Sequence, residues 1–244
     1  MSAVILLLQA AGCAVCGFTV GWLGIRLFNT VPAAWFCDYG ETPPVETGIR
    51  LPQNRYLPGL GILFGFLFFL LLLQYGFSDP FVLYCLACIP AVLIALADRK
   101  YQIIPDQFVL VLAGLGAVNA LVDCISGKSF LPASFSLLGG LTGGLLWALV
   151  GLVGWLVYRR ESIGFGDIKL STALGLLCGF PLAVAAFLGA VVFAGLHFTF
   201  LLTGKKIDGN RYMPLGPYLC AAAVLTLVFR EQVLFALQWY CSLL

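Results

Sequence analysis

Two aspartates, Asp98 and Asp167, stand at the edges of separate apolar segments in a chain with only 10% charged residues. A carboxylate beside a bilayer is costly and is kept for a partner, a water-filled cavity or a chemical role. Two such groups brought together share one proton readily, because like charges a few ångströms apart resist double ionisation. A pair of this kind, one member ionised and one protonated, can activate water and protonate a leaving group. The chemistry this pattern points to is aspartyl-type hydrolysis of a peptide bond, without a metal ion.

The local settings of the two acids differ. Asp98 opens the run Asp98-Arg99-Lys100-Tyr101-Gln102-Ile103-Ile104-Pro105-Asp106 at the end of one apolar segment. A negative charge there faces the negative end of the helix macrodipole, which is unfavourable by about 0.3 kcal/mol or more. Pro105 and Asp106 begin the next segment, where a proline and an acid suit a first helical turn. Asp106 therefore has a structural explanation that Asp98 lacks, and Asp98 is the expected catalytic member. Asp167 closes Gly164-Phe165-Gly166-Asp167, followed by Ile168-Lys169-Leu170. Its glycines are expected to permit unusual backbone conformations and the close approach of an extended substrate. Lys169 is placed to serve an anionic neighbourhood or a lipid phosphate.

The elements that must position these residues are membrane helices. With 61% hydrophobic residues and a mean hydropathy of +1.03, the bilayer must be the solvent for most of the chain. The expected spans are Val4–Leu27, Leu57–Phe77, Pro80–Ala97, Gln107–Val122, Pro132–Tyr158 and Leu215–Leu237. The stretch Asp167–Leu202 is divided by Gly179-Phe180-Pro181 into a short sixth helix and a full seventh. The expectation is an all-α polytopic membrane protein of about eight transmembrane helices with the N-terminus outside. The first helix lacks a basic flank and is expected to be retained rather than cleaved. Residues 1–56 form the first helix and a short cytoplasmic loop, and residues 57–244 the core.

Charge orients the bundle. Of the 13 Lys and Arg residues, only Lys128 and Arg230 fall on one side of this layout. The bias makes the other side cytoplasmic, and that side also holds Asp98, Asp106 and Asp167. The net charge of +2, with no basic tract, argues against nucleic-acid binding. The loop Asn29–Tyr56, containing Asp38-Tyr39-Gly40-Glu41-Thr42-Pro43-Pro44, reads either as a connector or as a lid or substrate-docking surface.

Cys13-x-x-Cys16 and Cys85-x-x-Cys88 lie inside expected helices, where small thiols serve as apolar filler rather than as loop zinc ligands. His197, the only histidine, reads as a packed or hydrogen-bonded helix residue. Gly139, Gly140, Gly143 and Gly144 form overlapping small-xxx-small pairs suited to close helix packing.

At these residues the chain resembles the type IV prepilin peptidases, the polytopic GxGD aspartyl proteases of bacterial pilus assembly and type II secretion. The resemblance rests on Asp98-x6-Pro105-Asp106, on Gly164-x-Gly166-Asp167-x-Lys169-Leu170, and on Pro214-Leu215-Gly216-Pro217-Tyr218 at the entry to the last helix. It implies that Asp98 and Asp167 are the catalytic pair, with the remaining motif residues in substrate-binding or supporting roles. It implies prepilin or pseudopilin substrates, cut after a glycine at the end of a short basic leader at the cytoplasmic face of the bacterial inner membrane. Many relatives then N-methylate the new terminus with S-adenosylmethionine. Bifunctional relatives often carry two Cys-x-x-Cys pairs in the first loop, whereas Asn29–Tyr56 holds only Cys37, so the metal and the methyl transfer are left unassigned. An ion-coupled transporter is the competing class, but it would place carboxylates near the midplane within repeated halves. A presenilin-like protease would carry Pro-Ala-Leu where this chain has Pro214–Tyr218.

Overall fold

The computed structural model describes residues 3–37, 50–127, 129–159, 163–204 and 213–242. Among these residues every regular element is helical. In chain order they are α1 (Ala3–Thr30), a 3-10 turn (Ala33–Phe36), α2 (Gln53–Tyr75), α3 (Asp79–Tyr101), α4 (Asp106–Gly127) and α5 (Leu131–Tyr158). There follow α6 (Phe165–Cys178), α7 (Leu182–Thr203), α8 (Gly216–Val228) and α9 (Arg230–Cys241). In a bilayer only helices and closed barrels satisfy their own backbone groups, and this chain uses helices.

Among the described residues six helices are long and apolar enough to span, namely α1 to α5 and α7, and the bent pair α8–α9 brings the number to seven if it counts as one span. The all-α polytopic membrane fold is as expected, and two of the about eight expected helices fall outside this length criterion. First, α6 has 14 residues, a rise of about 21 Å at 1.5 Å per residue, well short of a bilayer core. Second, the last span is broken. Phe229 leaves helical geometry at φ −104° and ψ 32°, and α9 departs from α8 at 88°. The break falls immediately before Arg230 and Glu231, and Glu231 in the first turn of α9 suits the positive end of that helix.

Contacts divide the chain into one unit ending at Leu93 and another beginning at Ile94. In the first unit, α1 and α2 approach so closely that a Cβ on Gly17 would lie 2.2 Å from the Gly65 backbone. The Asn29 amide joins the end of α1 to the strip before α2: its Nδ2 donates to the Leu51 carbonyl at 3.0 Å, and the Leu51 N–H donates to its Oδ1 at 2.7 Å. Residues 38–49, including most of the stretch read as a connector, lid or docking surface, lie outside the described residues.

In the second unit α6 is the hub, packed against α4, α5, α7 and α8. Small residues make this possible. A Cβ on Gly139 would meet the Gly175 carbonyl oxygen at 2.3 Å, and one on Gly143 would meet the Ser171 carbonyl oxygen at 2.5 Å. The glycines of α5 thus serve the close packing expected of them. Hydroxyls then bond across the contact, with Ser171 Oγ donating to the Gly143 carbonyl at 2.9 Å and Ser136 Oγ to the Leu176 carbonyl at 2.6 Å. Separating backbones in contact is an overpacking cost of about 1–3 kcal/mol or more. Gly139→Leu is therefore expected to lower the thermal unfolding midpoint in detergent by several degrees. Gly114→Ala, on α4 with open space around it, should leave that midpoint unchanged.

Candidate active site

Three chain segments of the second unit build the site, each with its own local reason. The first is the end of α3. Asp98 lies in its final turn, because the helix runs on to Tyr101 rather than stopping at Ala97, and its carbonyl accepts the Gln102 N–H at 2.9 Å. Gln102 then takes a left-handed conformation with φ 58°, which stops the helix. The chain runs through Ile103 and Ile104 to a buried Pro105, whose carbonyl accepts the first bonds of α4 from Phe108 and Val109. Asp106 opens α4, as expected of an acid at a helix N-terminus.

The second segment is the start of α6. Gly164 precedes the helix at φ −69° and ψ 144°, ordinary extended backbone, and among the described residues neither Gly164 nor Gly166 has a positive φ. The expected conformational freedom is thus not what this motif uses. Gly166 instead admits a neighbour: a Cβ there would lie 3.3 Å from Ile104 Cβ, so the α3–α4 linker seats on the first turn of α6. Asp167 follows in that same turn, with its N–H donating to the Gly164 carbonyl at 3.1 Å. A carboxylate there is favoured by the helix dipole.

The third segment is the start of α8. Pro214 and Leu215 lead into Gly216, the first helical residue, and Pro217 follows at a position where a missing N–H costs nothing. The Gly216 N–H donates to Asp98 Oδ2 at 2.8 Å. The charge that α3 disfavours at its own C-terminus is therefore met by the positive end of another helix.

These segments bring the two expected catalytic acids together. Asp98 is 3% and Asp167 5% exposed, and the Asp98 charge reaches Asp167. Two carboxylates with so little water around them favour a shared proton over double ionisation. Cys220, also buried, feels both charges. Sequence reading passed over this residue, although its position one turn after Gly216 put it on the same face of α8.

The other motif residues frame the pair. Lys169 Nζ and Asp106 Oδ1 form an ion pair at 2.5 Å, with side chains 35% and 49% exposed. Asp106 thus occupies the rim while Asp98 is buried. The ion pair ties the start of α4 to the start of α6. Exposed pairs contribute roughly 0.2–1 kcal/mol, so Asp106→Asn should reduce peptide hydrolysis by no more than about fivefold. The charge swap Asp106→Lys with Lys169→Asp should recover part of that loss, as measured by initial rates.

The cysteine pairs sit where expected, on α1 and α3, as free thiols. Among the described residues, no three His, Cys, Asp or Glu side chains are grouped to hold a metal ion.

Comparison with known proteins identifies relatives of the chain. A model of the type IV leader peptidase family matches residues 83–200. A prepilin leader peptidase/N-methyltransferase of Dichelobacter nodosus is 30% identical, over 93% of this chain and 74% of the relative. Proteins of the same name from Stutzerimonas stutzeri and Neisseria gonorrhoeae are 26% and 28% identical, over 86% and 89% of this chain and 70% and 72% of their own lengths. No solved structure matches the chain significantly. The match extends across nearly all of this polytopic, all-helical chain, including every segment that builds the carboxylate pair, and the chain belongs to the type IV leader peptidase family.

Proposed function

We infer that this chain is a membrane aspartyl endopeptidase that removes the short basic leader of type IV prepilins or pseudopilins, with Asp98 and Asp167 as its catalytic pair. The observation that carries the reading is the burial of these two carboxylates, Asp98 in the last turn of α3 and Asp167 in the first turn of α6, with the start of α8 bonded to Asp98. Names of the relatives supply the substrate class. The distribution of Lys and Arg supports a site facing the cytoplasm of a bacterial inner membrane, the side where a basic leader lies. The peptidase core is assigned to residues 57–244, with the first helix and its loop ahead of it.

Hydrolysis follows from the pair. The ionised carboxylate takes a proton from water as the oxygen attacks the scissile carbonyl carbon. The protonated carboxylic acid donates a hydrogen bond to the carbonyl oxygen, stabilising the negative charge that develops there. Collapse of the tetrahedral intermediate breaks the C–N bond, and a proton passes from the pair to the leaving amine. The products are the leader carboxylate and a mature chain with a free N-terminus. The proton belongs to the pair rather than to either residue.

The Gly216 N–H fixes one carboxylate oxygen of Asp98, leaving the second oxygen for the proton or the water. The relatives' name also includes N-methyltransferase. Methylation of the new amine would draw on S-adenosylmethionine. Most of the loop that holds Cys37 lies outside the described residues, and no methyl-transfer step is attributed to the carboxylate pair.

The test is cleavage of a model prepilin by the purified protein in detergent or nanodiscs, with the product's new N-terminus read by mass spectrometry. Cleavage after the glycine at the leader junction is expected. The rate should rise and then fall with pH, since one carboxylate must be ionised and the other protonated. Cleavage that increases monotonically across the acidic range would count against a shared-proton mechanism.

A further inference from the structure

The hydrolysis derived above makes no use of His197, the sole histidine of the chain. Its placement is specific all the same. His197 Nδ1, on α7, is hydrogen-bonded to the Tyr218 hydroxyl on α8, and the two rings stand 5.8 Å apart at a tilt of 47°. Tyr218 follows Gly216 by two residues, in the same first turn of α8 whose N–H holds Asp98. The first turn of α8 therefore reaches the end of α3 through Gly216 and α7 through Tyr218.

Among the described residues that turn has few backbone bonds of its own. Pro214 and Pro217 have no N–H, and the bonds that close the turn are those of Tyr218 and Leu219 to the Leu215 carbonyl, at 3.0 and 3.2 Å. First turns of helices open most easily. On α8, Ala222 packs against α7, where a Cβ on Gly189 would come within 3.4 Å of its methyl group. The His197–Tyr218 bond is the corresponding tie at the end that carries Gly216. One hydrogen bond between membrane helices is too weak to decide whether the bundle folds but is placed to fix one turn.

We propose that His197 is a positioning residue of the peptidase. Its bond to Tyr218 locks the first turn of α8, and Pro217, with its fixed φ, transmits that constraint to Gly216 and so to Asp98. The proposal rests on the reading of Asp98 as a catalytic carboxylate.

The test compares wild type, His197→Ala, Tyr218→Phe, the double variant and His197→Asn in nanodiscs, with kinetics on a model prepilin and amide hydrogen exchange across residues 214–219. His197→Ala and Tyr218→Phe should each lower kcat about tenfold with KM within about twofold, and the double variant should fall no further, because the two changes remove one interaction. His197→Asn presents an amide near the position of Nδ1 and should recover most of the rate. Exchange should accelerate in the first two variants and return to the wild-type pattern in His197→Asn.

Additive losses overturn the proposal, as does a lost kcat without faster exchange, or faster exchange with unchanged kcat per folded enzyme. If wild type cleaves none of several leaders, the proposed function falls. The exchange pattern then decides the latch alone, with unchanged exchange in His197→Ala overturning it.

Discussion

Asp98→Asn and Asp167→Asn should each reduce cleavage of a model prepilin by about a thousandfold or more, the range in which positioned general acids and bases contribute. Both substitutions remove the capacity to ionise with almost no change in volume. In Asp98→Asn the Gly216 N–H can still donate to the oxygen of the substituted side-chain amide, so the local fold should survive and melting curves should stay near wild type. The double variant should be no slower than either single one, because two groups that share one proton act as a unit. Initial rates on a single substrate, normalised to folded protein, decide the matter. Retention of more than about a tenth of the wild-type rate by either folded variant would remove that residue from the catalytic pair.

Gly216→Ala carries the second large effect, and it acts through geometry alone. A Cβ at this position would lie 2.7 Å from Asp98 Oδ2 and 3.1 Å from its carboxyl carbon. The backbone N–H is retained, but the carboxylate must rotate away from it, and the 2.8 Å bond cannot persist in its present form. Misplacement of a reacting group by about an ångström can cost roughly a hundredfold in rate, and a loss of that order in kcat is expected for Gly216→Ala. The enzyme should remain folded, because the clash is with the end of a side chain able to turn. An alanine variant with the wild-type kcat would show that Asp98 works in an orientation other than the one held by Gly216. Leu215→Ala, one residue earlier and outside the Asp98 contact, is the control.

Much of this site could be read from residue types and spacing. Asp98 drew attention because its local position contradicts the helix dipole, and the structure resolves the contradiction with a donor from another helix. Such a donor is hard to foresee: Gly216 lies 118 residues from Asp98, and no local rule connects them. The glycines around Asp167 were legible as necessary, but the reason differs, since Gly166 makes room for Ile104 rather than adopting a special conformation. His197 read as a packed or hydrogen-bonded helix residue; it is exposed and bonded to Tyr218, a partner hidden because it sits on a separate helix.

Composition and local pattern by themselves determined that the chain is a helical membrane protein, where its apolar segments fall, and which acids stand against their local preference. Those properties depend on transfer of side chains into lipid and on backbone chemistry within a few residues. Tertiary structure alone decided the depth of burial of Asp98 and Asp167, the pairing of Asp106 with Lys169, the central position of α6, and the break at Phe229. These depend on which helix backbones can touch. At 2.3 Å from a would-be Cβ on Gly139 to the Gly175 carbonyl, contact is set by the shapes of two helices at once, and one helix's sequence carries only half of that information.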